Sequence, residues 1–296
     1  MQISQESRVE SRESKVKNIG IIAGTGDIPM IIARDARERG FRVISIALEN
    51  LASHDLNRVS DEIKWINAGK LGELIDTLKK FDVKEAIMAG KVSKTLLYKS
   101  KLTPDMRAVK LLFSLKDKSD DSILNAITKE LEKEGIHVID TPTFSPHLLT
   151  PEGVLTDDPP TMDEWKDIEF GWRIAKEIGR LDIGQTVVVK GQAVMAVEAI
   201  EGTDEAILRG GKLSGEGAVV IKVSKPHQDM RLDVPVIGLD TLKSMVEVGA
   251  RVIAVEAQRS MIVNREQLIK EAEESGISVV GISHEKISKK ISHTKH

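Results

Sequence analysis

Residues 17–40 read "KNIGIIAGTGDIPMIIARDARERG", and the fold class turns on them. Lys17 to Ala23 has the apolar run of a short buried strand. Gly24-Thr25-Gly26 is a turn. Pro29 to Arg39 carries apolar residues at helical spacing, and Gly40 stops that helix. Working outward, "FRVISIAL" (41–48), "EIKWI" (62–66) and "EAIMAGK" (85–91) predict further strands. "LGELIDTLKKF" (71–81) and "DDSILNAITKELEKEG" (120–135) predict helices, and "IHVID" (136–140) a closing strand. Strands alternating with helices imply a parallel sheet covered on both faces.

Residues 141–163 hold Pro142, Pro146, Pro151, Pro159 and Pro160, and a linker is expected over 144–163. Beyond it "EWKDIEFGWRIAKEIGRLDIG" (164–184) predicts a helix. A β-hairpin over 186–204 is expected to turn at Lys190-Gly191. "GAVVIKVSK", "VPVIG", "RVIAVEA", "MIVN" and "ISVVGIS" predict strands, with helices at "TLKSMVEVG" and "REQLIKEAEESG". The expected fold is α/β with two domains. An N-terminal Rossmann-like parallel sheet spans 17–143, and a C-terminal mixed α/β domain spans 164–296. The polar residues 1–16 read as a mobile extension.

A chain of 296 residues suits about two domains. A net charge of -3 provides no basic field for nucleic acid, and 3% aromatics gives little base-stacking surface. The absence of cysteine excludes disulfides, thiol catalysis and thiolate-bound metal. No apolar run approaches the roughly 20 residues of a spanning helix. The polar start lacks the apolar core of a signal peptide. The histidines are scattered, so a histidine-rich metal centre is not expected, and no Gly-x-Ser-x-Gly elbow is present.

Four stretches can carry chemistry. "GTGDIP" (24–29) follows a strand and opens a helix, so N–H groups from Gly24, Thr25, Gly26 and Asp27 can receive a phosphate; a plain turn with Asp27 as cap is the other reading. Pro29 breaks the dinucleotide fingerprint, and Glu49 is the one clear acid near the end of the second strand, which argues against an NAD(P)-dependent oxidoreductase. Lys91 in "AGKVSK" falls where the fourth strand should end, as a phosphate partner or a surface lysine. Asp120 and Asp121 cap a helix or suit Mg²⁺. Thr203 and Asp204 cap a helix or, with Glu198 and Glu201, form a carboxylate cluster for a divalent cation. "KPHQDMRLDVP" (225–235) is the densest polar segment entering an apolar run. Salt bridges explain part of it, yet Lys225, Arg231 and Asp233 also suit water attack on a phosphate ester. The cations neutralise phosphoryl oxygens while the acid holds Mg²⁺ or orients water.

"IGIIAGTGDIP", "MAGKVSK", "AKEIGRLDIGQTVVVKGQAVMAVEAIEGTD" and "KPHQDMRLDVPVIGLDT", in this order, resemble the LpxI family over about residues 17–283. The resemblance implies a UDP-2,3-diacylglucosamine pyrophosphatase of lipid A synthesis. Water attacks the α-phosphorus and yields UMP and 2,3-diacylglucosamine 1-phosphate (lipid X), with Mg²⁺ or another divalent cation required. It implies a Rossmann-like domain that binds the UDP substrate, a catalytic C-terminal domain, substrate between them, and a homodimer. The family's essential aspartate falls on Asp233. Arg231 and Lys225 join it as catalytic candidates. Gly24, Thr25, Gly26, Asp27, Lys91, Gln228 and Thr203 are substrate-binding candidates, and Asp233 and Asp204 are metal candidates. Lys91, Lys94-Thr95 and Ser119 depart from the family's usual residues, so ligand contacts there differ in detail. A diacyl substrate needs an apolar groove and a membrane surface, and the amphipathic stretch 92–118 is the candidate for both, with ordinary core packing the other reading of most of its apolar residues. The implied location is cytoplasmic, peripheral at the inner face of the inner membrane. A non-catalytic nucleotide or lipid sensor is the competing reading.

Overall fold

The computed structural model describes residues 16–92, 102–115 and 119–283, with 285 and 287. Residues 1–15 of the expected extension, the segment 93–101, residues 116–118 and most of the basic tail lie outside them. β1 (Asn18–Ala23), β2 (Arg42–Leu48), β3 (Glu62–Ile66), β4 (Glu85–Ala89) and β5 (His137–Val138) form one sheet in the order β3-β2-β1-β4-β5. Every pairing in it is parallel. β1 is buried from Ile19 to Ala23, as a strand covered on both faces must be. α1 (Ile28–Glu38) covers one face, packing Ile28, Ile32 and Ala36 on Ile19, Ile21 and Ala23. α2 (Leu71–Lys80), α3 (Met106–Ser114) and α4 (Asp120–Lys133) cover the other, bringing Leu74, Leu78, Leu111 and Leu131 onto Ile22, Ile44 and Ile46. The strand order reverses between β1 and β4, and a crevice opens outside the carboxyl ends of strands at such a point.

The second sheet is mixed. It contains β6 (Gly153–Val154), β7 (Thr186–Lys190), β8 (Ala193–Val197), β9 (Val219–Lys222), β11 (Val252–Glu256) and β13 (Ser278–Ile282), in the order β6-β13-β11-β9-β7-β8. β9, β11 and β13 run parallel, and β6, β7 and β8 join antiparallel. α5 (Met162–Arg180) packs Trp172 and Ala175 against Val187, Val219 and Ile221 on one face. Its start is fixed by a capping box between Thr161 and Glu164. α6 (Thr203–Ser214), α7 (Leu239–Glu247) and α8 (Arg265–Glu274) bring Ile207, Met245 and Leu268 to the other face.

Several boundaries differ from expectation. β4 stops at Ala89 because Gly90, at φ 82°, turns the chain so that Lys91 pairs with Thr25. The hairpin turns at Gly191-Gln192, both at positive φ, so Lys190 stays in β7. "VPVIG" does not enter the large sheet. Only Val236–Ile237 is a strand, β10, and it pairs with β12 (Met261–Ile262). The proline-rich segment is a packed crossover, not a loose linker. Phe144 and Leu148 join the core under α1, Ser145 and Thr150 are fully buried, and β6 pairs with β13. Prolines suit it because Pro142 and Pro146 sit in the first turns of short 3₁₀ segments, where their missing N–H groups are not needed. Val234, Met261 and Val263 enter that same core, which therefore joins the two sheets' units.

Candidate active site

The glycine turn lies at the crevice but is stitched to β4's end. Gly24 N–H donates to the Ala89 carbonyl at 2.8 Å, and Thr25 N–H to the Lys91 carbonyl at 2.9 Å. Lys91 N–H returns to the Thr25 carbonyl at 3.1 Å, and the Thr25 hydroxyl adds a bond to Lys91 O at 3.0 Å. A Cβ on Gly24 would sit 2.6 Å from that oxygen, so glycine is required for the approach. The N–H groups of Gly24 and Thr25, expected to cradle phosphate, are therefore occupied by the chain itself. Gly26 and Asp27 stand exposed at the rim, and Asp27 makes no side-chain capping bond to α1.

Facing them is a centre that the motifs did not single out. β9 ends at Lys222, which is 6% exposed. Its ammonium donates to the Thr203 hydroxyl at 2.9 Å and to the Val236 carbonyl at 2.7 Å. Thr203 opens α6, and its hydroxyl donates a hydrogen bond to Glu198 at 3.0 Å; Glu198 also accepts from Gln185 N–H at 3.2 Å. Asp204 accepts from the Thr241 hydroxyl at 3.1 Å. Burial pushes the Lys222 ammonium below the usual lysine range; Glu198, Asp204 and Asp233 oppose that shift, while Lys91 adds to it. Three carboxylates and a second lysine thus act on one buried cation. Lys91 reaches it from the first unit: its Nζ lies 3.5 Å from where a Cβ on Gly202 would be, just before α6. The one sequence signal for Lys222 was a charge inside "AVVIKV", a run that reads as a fully buried strand.

α6, which carries Thr203 and Asp204 at its start, lies very close to its neighbours. A Cβ on Gly210 would be 2.6 Å from Val188 Cβ, and one on Gly211 would be 2.2 Å from Val248 Cγ2. "GRLDIGQ" (179–185) has a similar meaning. A Cβ on Gly184 would meet the Glu198 carbonyl at 2.2 Å, and Asp182, at φ 55°, turns its carboxylate to Lys225.

Asp233 lies on the loop before β10, exposed and at φ 44°. Buried Leu232 and Val234 flank it, so the loop is anchored on both sides while the carboxylate stays outside the core. Aspartate tolerates this left-handed conformation better than most residues. Gln228 fixes the backbone there, donating to the carbonyls of Leu232 at 2.7 Å and Asp233 at 3.2 Å. Gln228, a substrate-binding candidate, therefore shapes the loop. Thr203 is likewise held between Lys222 and Glu198.

Lys225 and Arg231 form the salt bridges that were one of the two readings of their segment. Lys225 Nζ donates to Asp121 of α4 at 2.9 Å and to Asp182 at 2.6 Å. Arg231 embraces Asp229 and reaches Glu132 of α4 at 3.1 Å. Both cations meet carboxylates and link the loop to the first unit. Asp121 accordingly has a partner that neither capping nor Mg²⁺ explains. Glu201, expected in a carboxylate cluster, pairs with Arg209 at 2.6 Å.

Among the described residues no three His, Asp or Glu side chains converge to hold a metal on their own. Mg²⁺ commonly takes only one or two carboxylates from the protein, with phosphate oxygens and water completing its shell. Asp204, at the start of α6, and exposed Asp233 have the carboxylate chemistry of that smaller donor set. No helix among the described residues is long and apolar enough to cross a membrane.

The LpxI N-terminal domain model matches residues 18–148, and the LpxI C-terminal domain model matches residues 151–280. The UDP-2,3-diacylglucosamine pyrophosphatase LpxI of Caulobacter vibrioides is 32% identical over 278 residues, covering 90% of this chain and 98% of that protein. Among solved structures, phosphoribosylglycinamide synthetase from Anaerococcus prevotii overlaps 59% of this chain and 32% of its own, at 14% identity and a TM-score of 0.26. The biotin carboxylase subunit of pyruvate carboxylase overlaps 68% of this chain and 43% of its own, at 14% identity and a TM-score of 0.26. The chain thus spans less than half of either, and overlaps this weak carry no argument about it.

Proposed function

Because the chain belongs to the LpxI family, we propose that it is a hydrolase of lipid A synthesis that cleaves UDP-2,3-diacylglucosamine at the α-phosphate, releasing UMP and 2,3-diacylglucosamine 1-phosphate. The observation that carries this reading is buried Lys222 bonded both to Thr203, beside Asp204, and to the Val236 carbonyl after the Asp233 loop, with Lys91 approaching Gly202 beside the first sheet's switch point. The pyrophosphate enters between the exposed rim at Gly26 and Asp27 and the start of α6. Lys91 and the α6 N-terminus meet its negative charge. Asp233, exposed on an anchored loop, orients the attacking water toward the α-phosphorus. Asp204 and Asp233 would hold Mg²⁺, which would supply neutralisation of the phosphate oxygens.

The same reading places the protein in the cytoplasm, peripheral at the inner face of the inner membrane, as a homodimer. α3 supports the membrane part. Met106 and Phe113 are 71% and 88% exposed, and exposed Lys110 lies between them on the same face. Apolar side chains beside a lysine suit an anionic lipid surface. Leu96, Leu97 and Tyr98, from the same expected stretch, lie outside the described residues. Flotation with anionic vesicles should carry the protein upward, and Phe113→Ser with Met106→Ser should abolish it.

Incubation with UDP-2,3-diacylglucosamine and Mg²⁺ should release UMP, and chelation should stop it. Release of UDP instead, or tight binding without turnover, overturns the proposal; the second result would favour a sensor. Asp233→Asn should keep the fold and lose roughly a hundredfold or more in turnover. Near-normal turnover in that variant would remove Asp233 from the mechanism.

A further inference from the structure

Lys222 is a deeply buried cation to which the proposed chemistry assigns no step. A lysine so deeply buried is costly unless every part of it has a use. Its two donated bonds run to segments of different origin. One ends on Thr203, at the start of α6 and adjacent to Asp204. The other ends on the Val236 carbonyl, three residues after Asp233. The Asp233 loop has no long strand of its own to fix it, since β10 is two residues long. α6 opens at Gly202, which sits at φ 91° and offers no capping side chain. Neither segment is held by a long strand or a side-chain cap at the point that carries its carboxylate, and β9, buried along its whole length in the second sheet, is the rigid element between them.

We propose that Lys222 is a positioning residue for the reaction: it pins the start of α6 to the strand after the Asp233 loop, and so sets Asp204 and Asp233 relative to each other. The role rests on the proposed hydrolysis only for its catalytic consequence. Glu198 completes the pin by accepting a hydrogen bond from the Thr203 hydroxyl, so hydroxyl and ammonium are both oriented. A neutral side chain of equal length would fill the same space and release both ends.

The test compares the full chain with Lys222→Met and Thr203→Val, by amide hydrogen exchange and by steady-state kinetics with UDP-2,3-diacylglucosamine and Mg²⁺. In Lys222→Met, peptides covering 199–206 and 229–238 should both exchange about tenfold faster, while β1 and β11 keep wild-type protection. In Thr203→Val only the first peptide should change. The value of kcat should fall about a hundredfold in Lys222→Met with KM within a few-fold, since misplacement by about 1 Å costs that much in rate. Unchanged exchange in either segment of Lys222→Met overturns the inference, as does a loss carried by KM alone. If Lys222→Met does not fold, Thr203→Val decides: wild-type exchange at 199–206 overturns the pin. If the wild type releases no UMP, the proposed activity fails, while the exchange data still judge Lys222.

Discussion

Gly211→Ala should harm this protein although alanine is the better helix former. In an exposed helix interior the change would stabilise by about 1 kcal/mol. Here the added Cβ would stand 2.2 Å from Val248 Cγ2 and 2.3 Å from Val248 Cβ. Carbon atoms in contact prefer about 3.5–4.0 Å, so α6 and the end of α7 must separate by more than ~1 Å. Overpacking of this kind costs about 3 kcal/mol, the upper end of the usual range. Offset by the propensity gain, the net loss is about 2 kcal/mol. At about 2–4 °C per kcal/mol for a unit of this size, Tm should drop by roughly 4–8 °C. The displacement also moves Thr203 and Asp204, which ride on α6, so turnover should fall more than the stability loss explains. Calorimetry and UMP release on the same preparation measure both. A variant as stable as wild type with normal turnover would show that α6 is not held by this contact.

Lys225→Met should loosen the link between the loop and α4. Its partners Asp121 and Asp182 are 47% and 30% exposed, so screening limits the loss to about 1 kcal/mol; KM should rise more than kcat falls, and the effect should shrink at high salt. Acid should weaken the first unit through Glu134. Lys79 first, and Arg107 with it, hold that carboxyl down from 4.5 to about 2. Its folded pKa is depressed, so its stabilisation is complete above 4.5 and disappears as pH falls through about 2. Glu134→Gln should flatten the melting temperature across that window, and an unchanged profile would exclude the ion pairs as its cause.

How much was legible in the sequence varies with the range of the forces involved. The strand, glycine turn and helix at 17–40 were readable because buried strands and helix stops leave local patterns, and β1 and α1 follow them closely. The Asp233 loop stood out for its density of charge. What those charges do was not readable. Lys225 and Arg231 have the chemistry of phosphate partners, yet α4 places Asp121 and Glu132 beside them from about a hundred residues away. "VPVIG" had the composition of a sheet strand, but its neighbours leave room for two paired residues at β10. The prolines marked an irregular segment, while burial of Phe144, Leu148 and Thr150 made it part of the core. Lys222 was the least visible residue. Its value as a centre depends on Thr203, Val236, Glu198, Asp204, Asp233 and Lys91, drawn from separate elements of both units. The sequence by itself determined the α/β class, the parallel first sheet and the family to which the motifs point, because periodicity and motif order are local or linear properties. The tertiary structure alone decided which cations are already paired with carboxylates and which one gathers them, because charges act through space and not along the chain.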